Sequence, residues 1–132
     1  LGRERITELT VDEVITAARA KRPHFVTPSF GTIAAFKANG AMPHYHATDA
    51  SHAVIEGDGL LLIDSGGQYL GGTTDITRVI PVGAVSQEQK NDYTAVLKGM
   101  KAQRGKSCRI IMPGNTENAT FLMEAVIIKR VS

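Results

Sequence analysis

Two aspartates, Asp64 and Asp75, stand eleven residues apart in "LLIDSGGQYLGGTTDITRVIPVG", a glycine- and threonine-rich stretch between two apolar runs. If they face each other across neighbouring strands, their Cβ atoms lie roughly 4.5 to 5.5 Å apart. Carboxylates that close repel unless a cation or a shared proton relieves them. A divalent ion bridged by oxygens does so, and two ions about 3.5 to 4 Å apart also hold and activate a water. The glycines let the backbone curl closely around such a site, and Thr73, Thr74 and Thr77 are placed to hydrogen-bond the carboxylates from behind. The competing reading is turn chemistry, with Asp64 closing an Asx turn over Ser65 and Gly66 and Asp75 facing solvent beside Arg78. Residue types and spacing leave both readings open.

The elements that must position these residues read as an α+β chain. "LGRERITEL" has apolar positions at helical spacing, and Thr10 with Glu13 forms a capping box. Two short helices or one bent helix should therefore end near Pro23. "FVTPSFGTIAAF" reads as a strand around Pro28. Residues 37–51 read as a loop with Asn39-Gly40 as its turn. Two apolar runs joined by Gly57-Asp58-Gly59 predict a tight hairpin, its second run, Leu60 to Ile63, covered on both faces and ending at Asp64. Beyond it, alternation sets Asp75, Thr77 and Val79 on one side and Ile76, Arg78 and Ile80 on the other. Ser86 and Gln89 cap a helix whose apolar stripe is Tyr93, Val96, Leu97 and Met100. From about Lys101 the character changes. A short apolar run leads to the turn Pro113-Gly114-Asn115, and the apolar segment from Ala119 to Ile128 suits helix or strand equally.

Composition narrows the function classes. The 132 residues suit one core, with 42% hydrophobic and 21% charged residues in the globular range. Fifteen basic against thirteen acidic residues leave a net charge of +2, too balanced and dispersed for a nucleic-acid surface. The mild basic cluster of Lys98, Lys101, Arg104, Lys106 and Arg109 reads as the solvated end of a helix. The single cysteine, Cys108, excludes an internal disulfide and multi-Cys zinc motifs, reads as a buried inert thiol, and fits a reducing, cytoplasmic setting. No apolar run reaches about 18 residues, so no membrane span is expected. A chain that starts at Leu1 rather than Met is expected to be a piece of something longer. The sequon at Asn118 reads as unused. Taken singly, His24 reads as structural, and His44, His46 and His52 as surface residues.

"NGAMPHY", "LLLIDSGGQYLGGTTDITRVIPVG" and "EQKNDYTAVLKGM" together resemble the Xaa-Pro aminopeptidases (aminopeptidase P), metallopeptidases of the pita-bread fold. The likeness runs over residues 3–100, which it identifies as the first half of such a catalytic domain, leaving 101–132 as a divergent tail. The resemblance implies a curved antiparallel sheet with flanking helices. It makes Asp64 and Asp75 the first two ligands of a dinuclear site, usually manganese, with cobalt or zinc as alternatives. His44 matches the family histidine that contacts substrate and shuttles protons. The implied reaction is cleavage of the peptide bond before proline by a metal-bound hydroxide, on proline-containing peptides.

The family's remaining ligands are one histidine and two glutamates in later segments, and none is recognisable here. All four histidines precede Asp64, and Glu88, Glu117 and Glu124 lie in no matching segment. Glu88 suits a helix start instead. Two carboxylates alone hold Mn²⁺ weakly, because it prefers about six donors. A half-domain also exposes a sheet edge and an apolar face. The expectations are therefore a metallo-aminopeptidase incomplete in this chain, or an inactive half-domain that pairs with a copy of itself as a homodimer.

Overall fold

A computed structural model describes residues 5–102. Helix α1 (Glu8–Ala20) leads into strands β1 (Phe25–Pro28) and β2 (Ile33–Phe36), a 3-10 helix (Lys37–Ala41), strands β3 (Gly59–Tyr69) and β4 (Gly72–Val82), and helix α2 (Gln87–Ala102). The α+β expectation holds. The four strands form one antiparallel sheet, with β4 paired along all of β3 from Gly59↔Val82 to Tyr69↔Gly72. One edge of β3 is thereby filled, so β1 and β2 lie end to end along the other, opposite Gly67–Tyr69 and Leu61–Asp64 respectively. The outer edge of β4 has no partner strand among the described residues.

Opposed residues of an antiparallel ladder share a face. One face of β3 and β4 thus carries Leu60, Leu62, Asp64 and Gly66 with Pro81, Val79, Thr77 and Asp75. The other carries Leu61, Ile63, Ser65 and Gly67 with Ile80, Arg78, Ile76 and Thr74. Helix α1 lies beside β1 and β2 on the second face. The core gathers Ala34, Ala35, Phe36, Leu61 and Tyr45, while Val96 of α2 is buried toward the first face. Leu60 and Leu62 there are only half-buried, bordering a cavity of about 370 Å³ between the sheet and α2. Coverage of β3 is accordingly unequal on its two faces, not full on both.

Five local expectations are corrected. The first helix is a single helix capped by Thr7, one turn before Thr10. Thr10 plays the part expected of Glu13: its Oγ1 accepts the Thr7 N–H at 2.6 Å, while Thr7 Oγ1 accepts the Thr10 N–H at 3.2 Å. The strand expected over residues 25–36 is broken in two. After Pro28 the chain leaves the ladder, and Ser29 instead bonds Gly66 and Thr74 through its N–H and hydroxyl. The segment Lys37–Ala41, read as loop, winds into a 3-10 helix. The hairpin at Gly57-Asp58-Gly59 does not form. Val54 and Ile55 pair with Thr7 and Ile6, and Asp58 Oδ1 accepts the Ala84 N–H at 2.8 Å, stitching the approach to β3 to the exit of β4. Strand β3 does not stop at Asp64; it continues through the glycines to Tyr69, and Leu70-Gly71 makes the turn.

The helix over Gln87–Ala102 is capped as read, with Gln89 N–H on Ser86 Oγ at 3.1 Å and Ser86 N–H on Gln89 Oε1 at 2.9 Å. Among the described residues no helix is long and apolar enough to cross a membrane. Cys108, Arg104, Lys106, Arg109, the sequon, Glu117, Glu124 and the rest of the tail from residue 103 lie outside the described residues.

Candidate metal centre

Asp64 and Asp75 lie on the same face of the sheet, but not opposite each other. Asp64 pairs with Thr77 and Asp75 with Gly66, so the two acids are diagonal neighbours. That offset widens the expected residue spacing to the roughly 7–8 Å of diagonal cross-strand pairs, with the Cβ atoms somewhat closer. It removes the head-on clash and leaves room for a cation between the side chains. The Asx-turn reading of Asp64 fails, since Asp64 sits inside the β3–β4 ladder.

The two acids differ in their surroundings. Asp64 Oδ1 accepts the hydroxyl of buried Thr77 at 3.0 Å, the contact expected of that threonine. Asp75 Oδ1 is buried and has no hydrogen-bond partner among the described residues. A carboxylate oxygen kept from water without a donor costs free energy, and a cation is what compensates it. Thr73 and Thr74 are turned to other work. The Thr73 hydroxyl donates to Gln68 Oε1, and Thr74 Oγ1 accepts from the Gly67 N–H at 3.1 Å and from Arg19.

The acids open into a cavity of about 260 Å³ that His44 and His46 also line, with Phe30, Met42 and Leu62 among its apolar walls. The structure therefore brings His44, Asp64, Asp75 and Thr77 together and leaves Thr73 and Thr74 out of the cavity lining. His46 was passed over in the sequence. Its signal was "HYH", where buried Tyr45 separates two exposed histidines. His24 and His52 lie elsewhere, His52 with Nδ1 2.9 Å from the Thr48 carbonyl. Among the described residues no group of three or more His, Cys, Asp or Glu is arranged to hold a metal ion. Among the described residues, the carboxylates that line this cavity are those of Asp64 and Asp75.

From the opposite face, Arg19 of α1 clamps the sheet directly behind the acids. Its Nη2 donates to Ser65 O at 2.9 Å and Ser65 Oγ at 2.8 Å, and Nη1 to Thr74 Oγ1 at 3.3 Å. Ser65 follows Asp64 and Thr74 precedes Asp75, so one guanidinium spans the two strand positions next to the acids. A hydrogen bond from a charged donor contributes about 1.5–3 kcal/mol net, and those made by one part-buried guanidinium are not additive. Arg19→Ala should lower stability by about 2 kcal/mol in urea titration, and Arg19→Lys should recover only part of it, because one ammonium cannot fork to both strands.

The sequence matches the model of metallopeptidase family M24 over residues 2–120. It is 45% identical over 95 residues to Aminopeptidase P1 of Lotus japonicus, covering 72% of this chain and 14% of that protein. To Xaa-Pro aminopeptidase 1 of Dictyostelium discoideum it is 43% identical over 93 residues, covering 70% and 15%. The chain thus spans about a seventh of the length of these curated relatives. Among solved structures, recombinant prolidase from Thermococcus sibiricus superposes with a TM-score of 0.70 at 30% identity, covering 83% of this chain and 29% of that one. X-prolyl aminopeptidase from Caenorhabditis elegans, described as a cytosolic enzyme with a di-nuclear active site, superposes with a TM-score of 0.65 at 34% identity, covering 73% and 16%.

Proposed function

Because this chain belongs to metallopeptidase family M24, we propose that Asp64 and Asp75 form the two-carboxylate half of a divalent metal site in a peptidase that cleaves before proline. The observation that carries this reading is the buried Oδ1 of Asp75, unpartnered among the described residues and diagonal to Asp64 in a cavity shared with His44. Manganese suits the all-oxygen donors in view better than zinc or cobalt, which take nitrogen or sulfur more readily. When bound, a divalent ion would polarise the scissile carbonyl and acidify a water. Thr77 holds Asp64 by its Oδ1 and so orients that carboxylate toward the cavity. His44, exposed at the cavity wall, is placed to contact substrate and to accept or return a proton there. The apolar wall of Phe30, Ile33 and Leu62 excludes water from one side and suits a proline ring.

The expected result is slow hydrolysis of an Xaa-Pro peptide by this chain that needs added Mn²⁺, stops with chelator and is lost in Asp75→Asn. Turnover indifferent to chelator or to that substitution would overturn the proposal.

The outer edge of β4, eleven residues long and unpaired among the described residues, favours a second reading, an inactive half-domain that dimerises through that edge. No turnover, no metal by elemental analysis and a dimer by light scattering would together support it. A monomer that binds metal stoichiometrically would exclude it.

A further inference from the structure

We propose that Glu8 is a positioning residue for His44: its buried carboxylate gathers the segment between Phe36 and Ala53 and so fixes where His44 stands beside Asp64 and Asp75. The proposal rests on reading that cavity as the site, and its test separates the two. Glu8 is the first residue of α1 and is wholly buried. Its two oxygens accept the Phe36 N–H at 2.6 Å, the Ala53 N–H at 2.7 Å, the Tyr45 hydroxyl at 2.7 Å and the Asn39 amide at 3.1 and 3.2 Å. A carboxylate has about four lone-pair sites, so these donors fill it. The helix N-terminus adds its own preference for negative charge.

All four partners come from one stretch of chain, and between the outer two lie Gly40, Met42, Pro43, His44 and His46, five residues of the cavity wall. That stretch has little else to place it. Between Phe36 and Ala53 the backbone joins no strand ladder, only the 3-10 helix and the Thr48–Ser51 bridge. The carboxylates of Asp64 and Asp75, by contrast, are set by the β3–β4 ladder. Two independent supports thus converge on one cavity, and Glu8 is the anchor of the histidine side. Tyr45, the neighbour of His44, accepts from Asn39 at 3.0 Å and shares its one hydroxyl proton between Glu8 Oε2 at 2.7 Å and the Ser51 carbonyl at 3.2 Å.

The electrostatics agree. Burial alone would raise the Glu8 pKa, but the donors from Ala53, Tyr45, Phe36 and Asn39 outweigh it and hold the group below the usual carboxylate range. Burial, then the hydrogen bond to Glu8 and its charge, push the Tyr45 phenol up to about 12.

The experiment is NMR on this chain and on Glu8→Gln, which keeps shape but sets an amide N–H₂ among donors. The amide of residue 45 is the reporter, since it bonds to Met42 O and not to Glu8. Its hydrogen exchange should quicken about tenfold or more in the variant, while the ladder amides of Leu61 and Leu62 change little. The phenol of Tyr45, followed by ultraviolet absorbance, should titrate at about 12 in the parent and lower in the variant, with burial still holding it above the ordinary phenol value. With Mn²⁺ added, broadening at Gly66 and Thr77 should be alike in both proteins, and broadening of the His44 ring should weaken in Glu8→Gln. Unchanged exchange at position 45, or an unchanged His44 response to bound Mn²⁺, would overturn the proposal. Absence of broadening at Gly66 and Thr77 in the parent would instead count against the metal site, leaving the exchange result to judge Glu8. If Glu8→Gln loses ladder protection as well, Tyr45→Phe, which removes one donor, gives the same reading: quickened exchange at position 45 supports the proposal and unchanged exchange overturns it.

Discussion

Asp75→Asn should bind Mn²⁺ on the order of 100-fold more weakly than the parent chain, a loss of roughly 2.7 kcal/mol, while its metal-free form is no less stable. The two effects have one source. Among the described residues Asp75 Oδ1 is buried without a donor. An unsatisfied buried polar atom costs about 1–3 kcal/mol, more when charged. A neutral amide lightens that cost, so chemical denaturation without metal should show equal or greater stability for the variant. Asp64 differs, because Thr77 already donates to it. Asp64→Asn should therefore lose metal affinity without the gain in stability. Calorimetric titration and urea midpoints on the two variants check this. A large loss of metal-free stability in Asp75→Asn would mean that the carboxylate serves the fold, not a cation.

Gly66→Ala should lower stability by about 3 kcal/mol or more, as forced overpacking does at its upper range. For a chain of this size that is a fall in Tm of roughly 10 °C or more. A Cβ at Gly66 would stand 2.1 Å from Ser29 Oγ and 2.2 Å from the Thr74 carbonyl oxygen, with Phe30 at 2.9 Å. Serine can turn away, but the Thr74 carbonyl belongs to β4 and cannot move without opening the ladder beside Asp75. Gly71→Ala is the control. A Cβ there meets nothing within 4 Å, so thermal denaturation should show a change within about 0.5 kcal/mol. Equal effects at the two glycines would refute the steric account.

What could be read in the sequence follows the range of the interactions. The Ser86–Gln89 cap was legible because both partners lie within one turn. The shared face of Asp75, Thr77 and Val79 was legible because alternation is local to a strand. The diagonal offset of Asp64 and Asp75 was not. It depends on which two of the residues Leu70, Gly71 and Gly72 form the turn, and a one-residue shift re-pairs the whole ladder. The start of α1 was misjudged because Thr7 and Thr10 both carry cap chemistry, and the winner was decided by Glu8, whose partners lie 28 to 45 residues away. No periodicity in "LGRERITEL" marks that glutamate as buried. The Gly57-Asp58-Gly59 hairpin failed for a similar reason, since Asp58 finds its donor at Ala84 and Val54 its partner at Thr7. The motif residues His44, Asp64 and Asp75 were carried by resemblance, and the structure gathers them in one cavity.

Asp64 and Asp75 are proposed to share a cation. A crystal of this chain grown with Mn²⁺ and measured above the manganese absorption edge tests it most directly. An anomalous peak is expected in the cavity beside His44, within coordination distance of carboxylate oxygens of both aspartates and with Asp75 Oδ1 among its ligands. A map with no peak there at saturating Mn²⁺, or with manganese bound only to other groups, would contradict it.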